Sequence, residues 1–139
     1  MRYLHTMIRV TDLERSKRFY CDGLGFELES ERRYEDGRFT LVFLRAPGDG
    51  ESGARLELTY NWDTERYERG DAYGHVAYAV ASIAEVQERL RRAGYDLSWG
   101  PGKTPDGRRA MAFADDPDGY EIEFLEGSGL TFQHSARRG

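Results

Sequence analysis

The chain has little cysteine and no long hydrophobic stretch. Its 139 residues include one cysteine, Cys21, which excludes an internal disulfide and is typical of a protein from a reducing compartment. The opening residues MRYLHTMIRV lack the apolar core of a signal peptide, and no segment is long enough to cross a bilayer. We therefore expect a cytoplasmic protein that binds no membrane, in which Cys21 is a structural or incidental thiol.

Positive charge is not in excess either. Twenty Lys and Arg residues stand against 25 Asp and Glu residues, which gives a net charge of −5. A nucleic-acid-binding domain usually carries a basic stripe, so this balance argues against a nucleic-acid role. Hydrophobic residues make up 39% and aromatic residues 13% of the chain, enough for the core of one soluble globular domain.

The first half of the chain has the pattern of a strand, a helix and three strands. Alternation of side chains predicts a first strand that carries His5 and Arg9 on one face. A helix that Thr11 or Asp12 can cap follows, and it ends near Gly23. Three further strands are expected at 26–32, 39–45 and 54–60.

The second half repeats this order. The segment HVAYAV at 75–80 is typical of a strand, and Ser82 with Glu85 forms a capping box for a helix that stops at Gly94. Strands are expected near 95–99, 109–114 and 120–125, the last two joined by a tight turn at Asp-Pro-Asp-Gly.

The repeated order predicts an internal duplication. We expect an α+β fold with two tandem βαβββ modules, at about 1–60 and 75–126, joined by a bridge at 61–74. The modules would form a curled mixed sheet, a half-barrel around a metal-binding cleft, within a single domain at 1–126. Residues 127–139 lose periodicity and gain Gly, Ser and Arg, so we predict a flexible C-terminal tail there.

A histidine on the first strand and a glutamate on the last strand occur in both halves. His5 and Glu57 are 52 positions apart, and His75 and Glu123 are 48 apart. A lone histidine or glutamate on a strand is usually a surface residue, but two matched pairs are hard to obtain by chance. Two neutral imidazoles and two carboxylates suit an octahedral divalent transition metal with open positions, which indicates an enzyme.

Four segments carry a family resemblance: LHTMIRVTDLERSKRFY, LELTYNW, YGHVAYAV and DPDGYEIEFLE. From about residue 2 to residue 126 the chain closely resembles the glyoxalase I (lactoylglutathione lyase) family of the vicinal-oxygen-chelate superfamily. DPDGY is common across that superfamily, whereas HTM-x-RV together with LELTYNW is specific to the glyoxalase branch. The chain lacks the insertions of the longer eukaryotic forms and so resembles the short bacterial type.

The resemblance implies a ligand set and a reaction. His5, Glu57, His75 and Glu123 would bind one divalent metal, with Ni²⁺ or Co²⁺ favoured in the short bacterial type and Zn²⁺ as the alternative. The substrate would be the hemithioacetal of methylglyoxal and glutathione, isomerised to S-lactoylglutathione. Glu123 matches the family's catalytic glutamate and would move the proton, while Glu57 would act on the opposite substrate face or serve only as a ligand.

The resemblance also implies a homodimer whose sites take ligands from both chains, although the sequence permits an intrachain site too. Glutathione brings two carboxylates and an amine, so cations and amides should line the cleft. Arg9 and Asn61 match family positions that hold the γ-glutamyl end. The cation that relatives often place before the second histidine is replaced here by Asp71, and we expect Lys103 and Arg108 to bind the glycyl carboxylate instead.

Three other functions share this fold. A ring-cleaving dioxygenase uses two histidines and one glutamate on Fe²⁺, so the fourth ligand, Glu57, argues against it. An epimerase of a coenzyme A ester is disfavoured by Arg9 and Asn61. A metal-free protein that sequesters small molecules has no reason to keep two matched pairs. The sequence also permits a thiol other than glutathione as the cosubstrate.

Overall fold

A computed structural model describes residues 1–127 and divides the chain into two units, Met1–Asp71 and Ala72–Gly139. The boundary falls inside the predicted bridge at 61–74. From position 128 onward, the predicted tail lies outside the described residues. Within residues 1–127, no helix has the length and apolarity needed to span a membrane.

The first unit is a strand, a short helix and three strands. These are β1 (His5–Val10), α1 (Leu13–Lys17) continuing as a π-helical turn at Arg18–Gly23, β2 (Glu27–Tyr34), β3 (Phe39–Arg45) and β4 (Arg55–Asn61). The sheet order is β1-β4-β3-β2. The first and last strands pair in parallel, and the other neighbours are antiparallel.

The second unit has the same order of elements. These are β5 (His75–Val80), α2 (Ile83–Arg92), β6 (Trp99–Lys103), β7 (Ala110–Asp115) and β8 (Glu121–Glu126). The sheet order is β5-β8-β7-β6, again with the first and last strands parallel. The prediction of two tandem βαβββ modules with mixed sheets is therefore confirmed.

Each helix begins after a capping residue in the extended conformation. The Asp12 carboxylate accepts a hydrogen bond from the Arg15 backbone N–H at 3.1 Å, and the Ser82 hydroxyl accepts one from the Glu85 N–H at 3.2 Å. Each cap satisfies one of the N–H groups that a helix leaves without a partner in its first turn. Of the two predicted caps for α1, Asp12 rather than Thr11 fills the role.

Alternation along the strands gives each sheet one buried face. In the first unit β1, β3 and β4 bury an aliphatic layer beside two aromatic residues of the helical segment: Ile8, Val10, Val42, Leu44, Leu56, Leu58, Phe19 and Tyr20. In the second unit α2 packs against β7 and β8 and buries Ile83 and Leu90. The opposite face of each sheet carries its predicted glutamate ligand, Glu57 in the first unit and Glu123 in the second.

Cys21 lies in the π-helical turn and is half-buried. Burial, followed by the neighbouring Asp22 carboxylate, raises the pKa of its thiol above the ordinary value. Little of the reactive thiolate therefore forms at neutral pH, which agrees with a structural thiol. A cytoplasmic location stays a prediction from composition.

The prediction of a strand at 95–99 is wrong. The strand is β6, Trp99–Lys103, and only Trp99 belongs to both ranges. The predicted range ends before Gly100, Pro101 and Gly102, which lie within β6. This strand stands at the edge of the sheet beside β7, and its register shifts between Trp99 and Gly102. A proline, which lacks a backbone donor, is tolerated at such an edge or bulge.

The tight turn between β7 and β8 is confirmed. Asp116 is 4% exposed, and its Oδ1 accepts hydrogen bonds from the backbone N–H groups of Asp118 and Tyr120, both at 2.9 Å. Gly119 has a φ of 90°, which a residue with a side chain rarely adopts. The turn sets the register of β8, the strand that carries Glu123.

Replacing Asp116 should destabilise the fold. Asp116→Ala leaves two backbone donors of this turn without an acceptor, so the free energy of unfolding should fall by about 2 kcal/mol. Chemical denaturation measures the change. The matched control is Asp115→Ala at the exposed neighbouring position, which should shift the free energy by less than about 0.5 kcal/mol. Equal effects of the two substitutions would contradict the role of Asp116.

Candidate metal centre

The first histidine and glutamate lie on adjacent strands of the first sheet. Register pairs His5 with Arg55 and Met7 with Glu57, so the glutamate stands two residues further along on the same face. His5 Nε2 lies 2.8 Å from Glu57 Oε2. The imidazole is 38% exposed and the carboxylate 12%, so the histidine forms the outer part of the pair.

The second pair repeats this geometry. Register pairs His75 with Glu121 and Ala77 with Glu123, which gives the same offset of two residues. His75 Nε2 lies 3.7 Å from Glu123 Oε1, and the two side chains are 40% and 14% exposed. The repeated spacing in the sequence therefore reflects one local arrangement that is built twice.

Each pair is completed by a phenylalanine that our sequence analysis missed. Phe43 of β3 stands in register with Glu57, and Phe113 of β7 with Glu123. Their rings meet His5 and His75 edge-on, with centroid distances of 5.4 and 5.6 Å. Such contacts orient the imidazoles and shield the carboxylates from water.

A signal for these phenylalanines was present in the sequence. Each phenylalanine stands between two buried residues of its strand, in VFL and in AFA. Its side chain therefore lies on the face of the sheet opposite the core. The residue alone, however, is an ordinary strand former. Only the pairing of β3 with β4 and of β7 with β8 shows that each ring adjoins a glutamate.

The donor atoms of each pair fit a shared metal ion. Two adjacent ligands at about 2.1 Å from an octahedral ion are about 3 Å apart, near the 2.8 and 3.7 Å between imidazole nitrogen and carboxylate oxygen. Across the part of the chain that the structure describes, no group of three or more His, Cys, Asp and Glu residues could hold a metal. Each unit thus contains one histidine–glutamate pair.

The two histidines differ on their other side. His75 Nδ1 lies 3.7 Å from Glu121 Oε1. The position equivalent to Glu121 in the first unit is Arg55, which is paired with Glu29 and lowers the pKa of that carboxyl through its hydrogen bond. The imidazole of the second pair therefore has a carboxylate on each side, whereas the histidine of the first pair has an arginine at the equivalent position.

The first sheet brings both predicted glutathione-binding residues to the face of its pair. Arg9 is exposed on β1, in register with Thr59, two residues beyond Glu57. Asn61 ends β4 on that same face, and its Nδ2 donates a hydrogen bond to the Tyr67 hydroxyl at 2.7 Å. The amide is thus oriented by a tyrosine of the bridge.

The second sheet does not bring Lys103 to the face of Glu123. Register pairs Lys103 with Ala110, which has the parity of the buried Ala112 and Ala114, so the lysine points to the opposite face. Lys103 lies on that face because of the register shift in β6. Without the shift, Lys103 would share the face of Trp99 and Glu123. Arg108 lies exposed in the turn before β7, where its backbone N–H donates to Asp106.

Comparisons with known proteins identify the family of this chain. The family model described as Glyoxalase/Bleomycin resistance protein/Dioxygenase superfamily matches residues 2–124. A lactoylglutathione lyase of Neisseria meningitidis serogroup A is 48% identical over 126 residues, which cover 91% of each protein. The lactoylglutathione lyase of Haemophilus influenzae is 46% identical and covers 91% of this chain and 93% of its own length.

Two solved structures of glyoxalase I are similar to this chain. Glyoxalase I of Zea mays superimposes with a TM-score of 0.82 at 33% identity and covers 91% of this chain, which spans 45% of the maize protein. The trypanothione-dependent glyoxalase I of Leishmania major has a TM-score of 0.78 at 36% identity and covers 99% of this chain and 94% of its own.

The match to the family model extends over most of the folded chain, and the relatives align across nearly their whole lengths. The family resemblance expected from the sequence segments is confirmed. This chain belongs to the Glyoxalase/Bleomycin resistance protein/Dioxygenase superfamily.

Proposed function

We propose that this chain is a metal-dependent lactoylglutathione lyase, which isomerises the hemithioacetal of methylglyoxal and glutathione to S-lactoylglutathione. The observation that carries the proposal is the duplicated pair of His5 with Glu57 and His75 with Glu123, built in one register. The relatives that bear the name lactoylglutathione lyase over nine-tenths of the chain support the reaction class.

Those four residues would hold one divalent metal, Ni²⁺ or Co²⁺ in preference to Zn²⁺. The nitrogen and oxygen donors suit such ions, and four protein ligands leave open positions in an octahedral site. When bound, the cation supplies Lewis-acid stabilisation of the charge that develops on two neighbouring substrate oxygens.

Glu123 is the better placed of the two glutamates to act as the base. Glu57 Oε2 lies within hydrogen-bond distance of His5 Nε2, at 2.8 Å, whereas Glu123 Oε1 is 3.7 Å from His75 Nε2 and is less engaged. Glu123 takes the proton from the carbon that bears sulfur and returns it to the adjacent carbonyl carbon. The net change is an isomerisation, so no electron acceptor is needed.

The first unit would bind the γ-glutamyl end of glutathione. Arg9 offers a guanidinium to its carboxylate, and Asn61, oriented by Tyr67, offers an amide on the same face as His5 and Glu57. Shielding by Phe113 limits the access of water to the proton that Glu123 carries.

We further propose that two chains form each site, His5 and Glu57 coming from one chain and His75 and Glu123 from the other. Support comes from the division of the donors, one pair in each unit, together with the finding that residues 1–127 contain no group of three or more potential ligands able to hold a metal. A two-fold dimer of this kind contains two equivalent sites.

A polyamine-linked thiol is a second candidate cosubstrate. Asp71 stands where the family resemblance leads us to expect a cation, and Lys103 faces away from Glu123, so neither residue favours a glycyl carboxylate. A thiol whose glycine is amide-linked to a polyamine lacks that carboxylate and carries positive charge instead. The Leishmania major structure is described as trypanothione-dependent, which is a property of that enzyme.

Metal removal should abolish the reaction. Chelator-stripped protein should lose at least about a hundredfold in turnover of the methylglyoxal–glutathione hemithioacetal, and Ni²⁺ or Co²⁺ should restore more activity than Zn²⁺. The thioester absorbance of the product measures the rate. The assay is repeated with a polyamine-linked thiol. If the thioester absorbance shows no metal-dependent rise with either thiol, the isomerase proposal is wrong.

Glu123 and Arg9 should show different kinetic signatures. Glu123→Gln keeps the shape of the side chain but cannot accept a proton, so kcat should fall about a thousandfold. Arg9→Ala should chiefly raise KM, by about tenfold, because it removes one charge-assisted contact to the substrate. The matched control Glu57→Gln should lower kcat less than Glu123→Gln does. Equal losses of kcat in the Glu123 and Arg9 variants would contradict these roles.

Mixing two inactive variants tests whether sites are shared between chains. His5→Ala and His75→Ala should each be inactive alone. When they are co-refolded, about half of the dimers are mixed, and each mixed dimer regains one of its two sites, so about a quarter of wild-type activity should return. If each site lay within one chain, every site in the mixture would lack a histidine and no activity would return.

A further inference from the structure

A line of side chains crosses the open face of the second sheet beside the proposed base. Ala77, Glu123, Phe113 and Trp99 stand in successive register on the four strands β5, β8, β7 and β6. Residues in register share a face of the sheet, so Trp99 lies on the side of Glu123. The two backbones are separated by two strand spacings, about 10 Å.

The ring of Trp99 contacts that of Phe113, which in turn contacts the imidazole of His75. We call these three rings the aromatic edge of the second sheet. Trp99 meets Phe113 edge-on at 5.9 Å between centroids, and Phe113 meets His75 at 5.6 Å. Trp99 is nevertheless 49% exposed, so much of its indole is open to a ligand.

Gly102 fixes the position of the indole. A methyl group at Gly102 would collide with the six-membered ring of Trp99, so the indole lies against the backbone of its own edge strand. The glycine has no positive φ that would require it, which leaves this close approach as its structural role.

The first sheet lacks this feature. Its equivalent line is Met7, Glu57, Phe43 and Ser30, so a serine stands where the second sheet has Trp99. The aromatic edge therefore belongs only to the pair that contains the proposed base. Arg9 and Asn61, which suit the polar end of the substrate, belong to the other pair.

We propose that Trp99 is a specificity-determining residue, which with Phe113 forms an apolar wall for the carbon substituent of the 2-oxoaldehyde. The inference rests on the proposed function and deepens it by assigning to Trp99 the selection among carbon substituents of the substrate. A methyl group on the carbonyl carbon of the substrate is too short to reach the indole. A phenyl ring on that carbon lies against both Phe113 and Trp99 and gains an edge-to-face contact.

The kinetic test compares the glutathione hemithioacetals of phenylglyoxal and methylglyoxal. Trp99→Ala should lower the ratio of kcat/KM for the phenyl substrate to that for the methyl substrate by about five- to tenfold, and Trp99→Phe by less. Gly102→Ala, which displaces the indole without removing it, should also lower the ratio. The control is Trp62→Phe in the first unit, which should change the ratio by less than about twofold. An unchanged ratio in Trp99→Ala with retained turnover would overturn the inference.

A binding measurement provides a readout that does not depend on turnover. Trp62→Phe protein contains Trp99 as its one tryptophan, so its fluorescence reports on the indole alone. S-benzylglutathione, which cannot be isomerised, should change the Trp99 emission saturably and more strongly than S-methylglutathione does. Inhibition of turnover by S-benzylglutathione without any response from Trp99 would also overturn the inference.

The two proposals fail in different ways. Absence of turnover with every hemithioacetal would overturn the proposed function, and the fluorescence titration would then decide the role of Trp99 by itself. Turnover with an unchanged substrate ratio would overturn only the role of Trp99. Thermal unfolding of Trp99→Ala checks that the loss of this half-exposed ring leaves the fold intact.

Discussion

The parallel pairing of the first and last strands in each unit is the constraint on which the site depends. In β1 with β4 and in β5 with β8, the same offset of two residues places a histidine and a glutamate on one face. A shift of one residue in either register would move the glutamate to the buried face, because side chains alternate along a strand. The register is held by the aliphatic layer on that face, so packing on one side of the sheet positions the donors on the other.

The two units repeat this geometry but differ in the residues around it. His5 Nε2 lies 2.8 Å from Glu57 Oε2, while each nitrogen of His75 lies 3.7 Å from a carboxylate oxygen, of Glu121 on one side and Glu123 on the other. Arginine and asparagine accompany the first pair, and an aromatic edge accompanies the second. A duplicated scaffold can thus surround its two histidine–glutamate pairs differently, with a cation and an amide beside the first pair and aromatic side chains beside the second.

Local signals explain which features could be predicted. The caps Asp12 and Ser82, the turn around Asp116 and both His–Glu pairs depend on short segments or on strict alternation, and the structure has them where the sequence places them. The strand β6 was misplaced because its glycines and proline are typical of a turn. Its position at an edge, with a shifted register, is a property of the pairing with β7 and not of its own residues.

The sequence by itself therefore determined the order of elements, the duplication, the family and the four candidate ligands, because alternation and capping act over a few neighbouring residues. Only the tertiary structure decided which residues from distant strands adjoin those ligands. It placed Phe43 and Phe113 beside the glutamates, turned Lys103 to the other face and brought Trp99 into line with Glu123. The physical reason is that strand register is set by long-range hydrogen bonds and packing, which no local pattern encodes.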